Sequence, residues 1–458
     1  MTALPIKTVA LAAGPIVACL AASLMWFSSP AAAITLAMTL WVVIWWIFEP
    51  IPIPVTALLP LAVLPMSGVL TAKEVGAAFG SPLVLLLMGG FILATALEKS
   101  GAHRRLALAM VNAFGGASSR RLVFGFMAAS AILSMWISNT ATVIMLLPVA
   151  IAVINDSDDP HLATPLLLGI AYAASIGGMG TPIGTPPNVV FMGVYTEVTG
   201  QPMAFSTWMG YALPIVIVLL PLAALWVTRN LSHQGQVDLP AVGAWAPAER
   251  RTLYVFTLTA LAWVTRTEPY GGWSGWLSVP YTNDAIVAFL GVIGLFLTPD
   301  GRGGRLLDWE TANRIPWGML LLFGAGIAIA TAFMNSGLSA QIGEHLQALS
   351  TWHLLLMIAC LCLAVTFLTE VTSNTATTTL LMPILAAAAL GAGTQPEVFM
   401  LPAALSASCA FMLPVATPPN LIVFSAERFS VARMVREGFA LNLIGVLVIS
   451  MMVYLLLS

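Results

Sequence analysis

Long apolar stretches follow one another along almost the whole chain, separated by short charged or proline-rich turns. Leu83 to Leu97, Ile215 to Thr228, Met319 to Phe333 and Leu443 to Leu457 carry no charge at all. A hydrocarbon core takes about 20 helical residues to cross, and backbone at that depth must satisfy its own polar groups. Apolar runs of this continuity predict helices rather than a barrel. The pattern predicts an all-α integral membrane protein with eleven spans, centred near residues 17, 41, 60, 90, 172, 217, 259, 290, 326, 406 and 447. Two further apolar segments, each broken in the middle by a polar triplet, predict re-entrant hairpins.

The first hairpin runs from Arg120 to Ile137, turns at Ser138-Asn139-Thr140 and returns from Ala141 to Ile154; Arg121 and Asp156 place both ends on one side. The second runs from Trp352 to Thr372, turns at Ser373-Asn374-Thr375 and returns to Leu390. Neither arm looks long enough to span with ease. Re-entrant backbone is tolerated at depth only where protein buries it or where it lines a cavity. The two turns are copies of one phrase, Ser-Asn-Thr-Ala-Thr followed by a proline, Pro148 or Pro383.

That copying extends further. Pro82 to Gly101 matches Pro316 to Gly337, and Pro182-Ile183-Gly184-Thr185-Pro186-Pro187-Asn188 matches Pro414-Val415-Ala416-Thr417-Pro418-Pro419-Asn420. The offsets are 236 residues from Ser100 to Ser336, 235 from Ser138 to Ser373 and 232 from Thr185 to Thr417. A duplicated unit follows. Residues 1–32 form an extra N-terminal span, 33–228 the first repeat, 229–251 a polar cytoplasmic linker and 252–458 the second repeat. Five spans per unit is an odd number, so the second unit is expected to be inverted. Inverted repeats are a mark of secondary transporters, with the substrate near the midplane.

Composition agrees: 59% of the 458 residues are apolar and 8% charged, against roughly a quarter charged in soluble domains. With the N-terminus in the cytoplasm, only Lys73 and Arg266 of the 17 basic residues fall outside, in accord with the positive-inside rule. Ala31-Ala32-Ala33 resembles a signal-peptide cleavage site, but Lys7 alone is a weak basic leader and the topology closes with the segment kept. Cys19, Cys360, Cys362 and Cys409 lie in apolar segments and read as small hydrophobes. His103, His161, His233, His345 and His353 show no metal-ligand spacing, and no nucleophile-base grouping suggests an enzyme. A passive channel is disfavoured by the repeat and by the want of a charged ring. The net charge of -2 gives no reason to expect a nucleic-acid partner.

The polar phrases are the candidate chemistry. A helix beginning at each tip offers free N–H groups and a dipole of roughly half a positive charge, which suits an anion. Asn139 and Asn374 can donate to a carboxylate and accept toward a cation. The paired prolines after Thr185 and Thr417 force the spans to unwind. The freed carbonyl oxygens suit sodium. No Lys or Arg falls near either tip, so an anion there must be neutralised by dipoles and co-bound cations. Burying carboxylates uncompensated is costly, so sodium should bind first. Glu49, before the Pro50 to Pro54 turn, reads as interfacial; Glu370, three residues before the second tip, reads as orienting the tip or as a proton or cation ligand.

In the Glu49-Pro50-Ile51-Pro52-Ile53-Pro54 turn, the Gly89-Gly90 span, both tips and both Thr-Pro-Pro-Asn breaks, the chain resembles the divalent anion/sodium symporter (DASS) family over nearly its full length. The resemblance implies a homodimer in the inner membrane, with a scaffold and an elevator-like transport part. One sodium would be held by Ser134, Ser138, Asn139 and the Gly184 carbonyl; a second by Thr369, Thr372, Asn374 and the Ala416 carbonyl. Substrate carboxylates would meet Ser138, Asn139, Thr140, Ser373, Asn374 and Thr375, with Thr185 and Thr417 nearby. At Thr372 some relatives carry a small apolar residue, so its carbonyl is the expected ligand. Gly184 against Ala416 argues for unequal cation affinities. The expected activity is sodium-coupled symport of C4-dicarboxylates such as succinate, malate and fumarate. The rivals are an exchanger of dicarboxylate or citrate and a sodium/sulfate symporter.

Overall fold

A computed structural model describes residues 6–26, 29–114, 118–231, 243–268, 270–346 and 353–457. Most of the expected linker, His233 and the expected start of the second hairpin at Trp352 lie outside the described residues. Helices account for the named elements; among the described residues the only β pairing is one bridge between Pro299 and Arg305.

The first half begins with α1 (Ile6–Met25) and α2 (Pro30–Phe48), packed tightly because Gly14 leaves room for Trp41 and Trp45. The Trp45 indole N–H donates to the Ala10 carbonyl at 3.2 Å. Ser29 caps α2 ahead of Pro30, and Glu49 closes it in the left-handed conformation. The proline-rich turn then divides the next span into α3 (Ile53–Thr56) and α4 (Leu58–Met66). Next come α5 (Ala72–Phe79), started by a Thr71/Glu74 capping box, and α6 (Pro82–Ser100), capped by Ser81. Gly101, at φ 78°, stops α6 and turns the chain into α7 (Ala102–Phe114). This helix was not foreseen as an element. It is amphipathic, with Ala107 and Val111 buried and Arg104 exposed. The first hairpin is α8 (Ser119–Ser134) and α9 (Asn139–Asp156); α10 (Ala163–Gly178), α11 (Pro186–Thr199) and α12 (Phe205–Thr228) complete the half.

The second half repeats this order. The helices α13 (Pro247–Val264), α14 (Gly272–Trp276), α15 (Asp284–Leu297) and α16 (Trp309–Ala312) lead to α17 (Trp317–Asn335). Gly337, at φ 74°, turns α17 into α18 (Leu338–Leu346), as Gly101 does in the first half. The hairpin is α19 (Leu354–Leu368) and α20 (Asn374–Gly391), followed by α21 (Glu397–Ser406), α22 (Pro418–Phe424) and α23 (Val431–Leu457).

Eight helices among the described residues are long and apolar enough to cross a membrane, and five apolar helices are shorter. The expectation for the hairpin arms divides. The first arms have 16 and 15 residues, but the second arms, α9 and α20, have 18 each and are long enough to cross. The ends of the first hairpin do meet: the Ser119 hydroxyl donates to Asp159 at 2.6 Å, just beyond α9.

Small residues bring the backbones together, as membrane helices without a hydrophobic drive require. A Cβ on Gly177 in α10 would stand 2.2 Å from the Ala131 carbonyl oxygen of α8, and one on Gly89 in α6 would stand 2.6 Å from the Ala288 side chain of α15. The halves interlock at their breaks, with α11 lying against α20 and α22 against α9. Two ion pairs join the end of a helix in the first half to a segment of the second. Arg229, after α12, reaches Glu437 in α23 through two bonds of 2.6 and 3.1 Å. Lys99, at the end of α6, reaches Asp308, ahead of α17, at 2.5 Å, and its hydrogen bond holds the Asp308 carboxyl down to about 2.

Candidate functional site

Each hairpin tip is a helix start. Ser138 is extended (φ -60°, ψ 144°) and caps α9, its hydroxyl accepting the Ala141 N–H at 3.1 Å. Ser373 has the same backbone shape (φ -64°, ψ 130°) ahead of α20, but its side chain takes no cap bond. A helix start leaves its first N–H groups without intrahelical partners, so both tips present donors and a positive dipole end to whatever faces them.

Behind each tip an amide meets a hydroxyl five residues earlier in the chain. Ser134 donates to Asn139 Oδ1, and Thr369 Oγ1 stands 2.7 Å from Asn374 Oδ1 and 3.0 Å from the Ala407 carbonyl. The Asn139 oxygen faces only other oxygens: Ser134 Oγ, and the Ala174 and Gly184 carbonyls at 3.3 Å each. Two states of the amide fit this cage. With nitrogen inward its two N–H groups can be shared among these three oxygens; with oxygen inward it joins them as a set of neutral oxygens of the kind a small hard cation takes. Gly178 closes the cage, since a Cβ there would stand 2.6 Å from Asn139 Oδ1. Thr372 behaves differently. Its hydroxyl bonds the Leu368 carbonyl at 2.8 Å and Thr377 at 2.6 Å, which leaves its carbonyl as the free oxygen.

The breaks unwind where the paired prolines require it. Residues 179–185 and 407–417 lie outside helix, and Thr185 and Thr417 are extended (φ -148° and -142°) before α11 and α22 resume. Each break is folded by the asparagine that ends its phrase, a role the sequence reading did not assign. Asn188 Nδ2 donates to the Gly178 and Thr181 carbonyls at 3.0 and 2.7 Å; Asn420 Nδ2 donates to those of Ala410 and Leu413 at 2.9 and 3.0 Å. The reach is ten and seven residues back in both. Asparagine closing both copies was the available signal.

Tips and breaks meet at one cavity of about 650 Å³. Ser138, Asn139, Thr140, Thr185, Ser373, Asn374, Thr375 and Thr417 all line it, as do Gly184, Thr372 and Ala416. Ser134 and Thr369 stand behind the wall, on the asparagines. The wall also includes Ile47 and Glu49 at the end of α2, Leu87 and Phe91 in α6, and Pro316 and Met319 around the start of α17. Glu49 thus faces the cavity as well as ending a helix. No Lys or Arg lines the cavity, and its carboxylates are Glu49 and Glu370. The two tips differ in their backing. Trp136 stacks on Phe205 (centroids 6.2 Å apart), which stacks on Trp263 of α13 (4.8 Å), whereas Val371, at the matching position of the second tip, is 70% exposed.

Helices that span, hairpins that meet between two interlocked halves, and a cavity built of hydroxyls, amides and free carbonyls define a multi-pass membrane transporter of small solutes. The citrate transporter family (CitMHS) matches residues 43–401, and the chain belongs to that family. It is similar to the sodium-dependent dicarboxylate transporter SdcS of Staphylococcus saprophyticus, with 39% identity over 446 residues, 92% of this chain and 85% of the relative. SdcS of Staphylococcus aureus is 38% identical over 444 residues, with the same coverage. Among solved structures, the fold is similar to the YdaH transporter of Alcanivorax borkumensis (TM-score 0.60, 14% identity, 84% of this chain and 87% of that one). The Neisseria gonorrhoeae MtrF structure is alike to the same degree (TM-score 0.60, 14% identity, covering 85% and 83%). The resemblance to the divalent anion/sodium symporters is borne out. This is a transporter and not an enzyme.

Proposed function

We propose that the chain is a sodium-coupled symporter of C4-dicarboxylates such as succinate, malate and fumarate. The observation that carries this reading is a cavity formed by two helix-start tips and two unwound breaks with no basic side chain in its wall. An anion bound there depends on N–H dipoles and on cations held beside it, and burying carboxylates without such compensation is costly. Cation binding therefore precedes anion binding, and a sodium gradient drives uptake. The first cation is assigned to Ser134, Ser138, Asn139 and the Gly184 carbonyl, the second to Thr369, Thr372, Asn374 and the Ala416 carbonyl. The substrate is assigned to Ser138, Asn139, Thr140, Ser373, Asn374 and Thr375, beside Thr185 and Thr417. The names of the two SdcS relatives agree in cation and anion.

The same reading divides the chain into an extra span at 1–32, repeats at 33–228 and 252–458 and a linker at 229–251. The end of α12 meets the first part of its counterpart α23 at Arg229–Glu437, which supports inversion. With the N-terminus in the cytoplasm of an inner-membrane protein, Glu49 and Pro316 would lie toward the inner side of the cavity and the Trp136–Phe205–Trp263 stack toward the outer side. An elevator-like movement of the hairpin-bearing part within a homodimer would expose the site outside; the family resemblance supports it. The test is uptake of labelled succinate into proteoliposomes that contain no internal substrate. Sodium-dependent accumulation is expected, abolished in Asn139→Ala and in Asn374→Ala. Uptake indifferent to sodium but dependent on internal dicarboxylate would establish an exchanger instead.

A further inference from the structure

Glu370 precedes the second tip by three residues, where the first half has Met135. It is 3% exposed. Every hydrogen bond to its carboxyl comes from a donor: the Phe411 and Met412 N–H groups at 2.7 and 2.9 Å and Asn442 Nδ2 at 2.7 Å to Oε1, and the Leu413 N–H at 3.1 Å to Oε2. A protonated carboxyl would need an acceptor for its own hydrogen, which the three backbone N–H groups cannot be and which Asn442, oriented with its nitrogen toward Glu370, does not supply. As placed, all four groups donate, an arrangement that an ionised carboxylate satisfies in full. The same four donors turn their positive ends toward it, so a cation seated on Glu370 itself would meet them in the wrong sense.

The matching place in the first half carries no charge. Met135 contributes only its carbonyl, which accepts from the Thr181 hydroxyl of the first break. The first cage is therefore made of neutral oxygens. In the second half, Thr369, adjacent in the chain to Glu370, stands 2.7 Å from Asn374 Oδ1. The loop held by Glu370 runs on to Ala416 and Thr417 in the cavity wall. A fixed anion this near, with weak screening, raises cation affinity by on the order of tenfold.

We infer that Glu370 is a positioning residue of the second cation site: it fixes the 411–413 turn ahead of Ala416, makes this site the tighter of the two, and so causes the cation at Asn374 to bind before the one at Asn139. The inference rests on the sodium-coupled reading of the two sites.

The experiment uses full-length protein in proteoliposomes, labelled succinate and varied sodium. Glu370→Gln keeps the shape and removes the charge; half-saturating sodium should rise about tenfold, with the maximal rate at saturating sodium within about twofold of wild type. Asn442→Leu removes one neutralising donor and leaves the charge. The Asn442 oxygen has no hydrogen-bond partner among the described residues, so little else is lost. Half-saturating sodium should fall. A purely structural role predicts earlier melting of both variants with sodium dependence unchanged, or a raised sodium requirement in both, and either result overturns the inference. Should Glu370→Gln fail to fold, the direction of the Asn442→Leu shift decides alone. Sodium-independent uptake by the unaltered protein would overturn the sodium-coupled reading itself, and that is visible without any variant.

Discussion

Gly178→Ala probes the proposed first cation site with a single methyl group. The new Cβ would stand 2.6 Å from Asn139 Oδ1 and 3.2 Å from the Gly184 carbonyl oxygen. The nearer contact is shorter than any real Cβ contact, and the atom that can yield is the end of the Asn139 side chain. The fold therefore tolerates the change while the cage loses an oxygen. Hydrogen bonds to charged groups are worth about 1.5–3 kcal/mol, and taking one cation ligand as comparable gives a ten- to hundred-fold rise in half-saturating sodium. The second half supplies a control. Its matching residue is Ala410, fully buried, so Ala410→Gly removes a methyl that the second cage already accommodates and should leave sodium dependence within about threefold of wild type. The assay is succinate uptake by proteoliposomes across a sodium series, with melting temperature as the check on folding. Wild-type sodium dependence in well-folded Gly178→Ala would refute the placement of the first cation beside Asn139.

Gly177→Ala, one residue earlier, should damage the fold rather than the site, because its Cβ would stand 2.2 Å from the Ala131 carbonyl oxygen and 2.4 Å from the Ala131 Cα, backbone that cannot yield. A loss of about 1–3 kcal/mol or more, read as a lower melting temperature, is expected. Asn420→Ala leaves the Ala410 and Leu413 carbonyls without their amide donor, and should cost about 1–3 kcal/mol with earlier thermal unfolding. Burial lowers the His103 pKa from its ordinary 6.5. The unfolded chain then takes up the proton first on acidification, so stability is full above about pH 6.5 and falls as pH drops toward the folded value. Melting temperature should decline over that window, and in His103→Gln this part of the decline should vanish.

The polar phrases were legible because they repeat. Small hydroxyl and amide residues have no packing reason to recur in an apolar chain, and paired prolines leave few backbone options, so the tips at Ser138 and Ser373 and the unwinding before Pro186 and Pro418 could be read directly. What Asn188 and Asn420 bond depends on how each break folds back over ten residues, which neither spacing nor hydropathy encodes. Glu370 was visible as a buried charge, but its four donors come from a loop and a helix more than forty residues away. The Gly178 requirement rests on a helix crossing. The helices α7 and α18 escaped because each follows a span after a single glycine, Gly101 or Gly337, and their mixed composition reads as loop. The length of the second hairpin arms was underrated because each helix begins within the polar triplet, at Asn139 or Asn374, and α9 runs on to Asp156.

Those two glycine stops have a consequence for the surrounding lipid. Each converts a span into a short amphipathic helix with one buried stripe, Ala107 and Val111 in α7, Leu338 and Gly343 in α18. Helices of this kind settle at the headgroup level, and α7 packs against α8 while α18 packs against α20, so each touches a hairpin arm. Under the elevator-like movement proposed above, a hairpin travelling along the membrane normal would have to tilt its surface helix or deform the bilayer, and the cost of either depends on hydrocarbon thickness. On that reading acyl-chain length would become a determinant of turnover, through two glycines that line neither tip nor break.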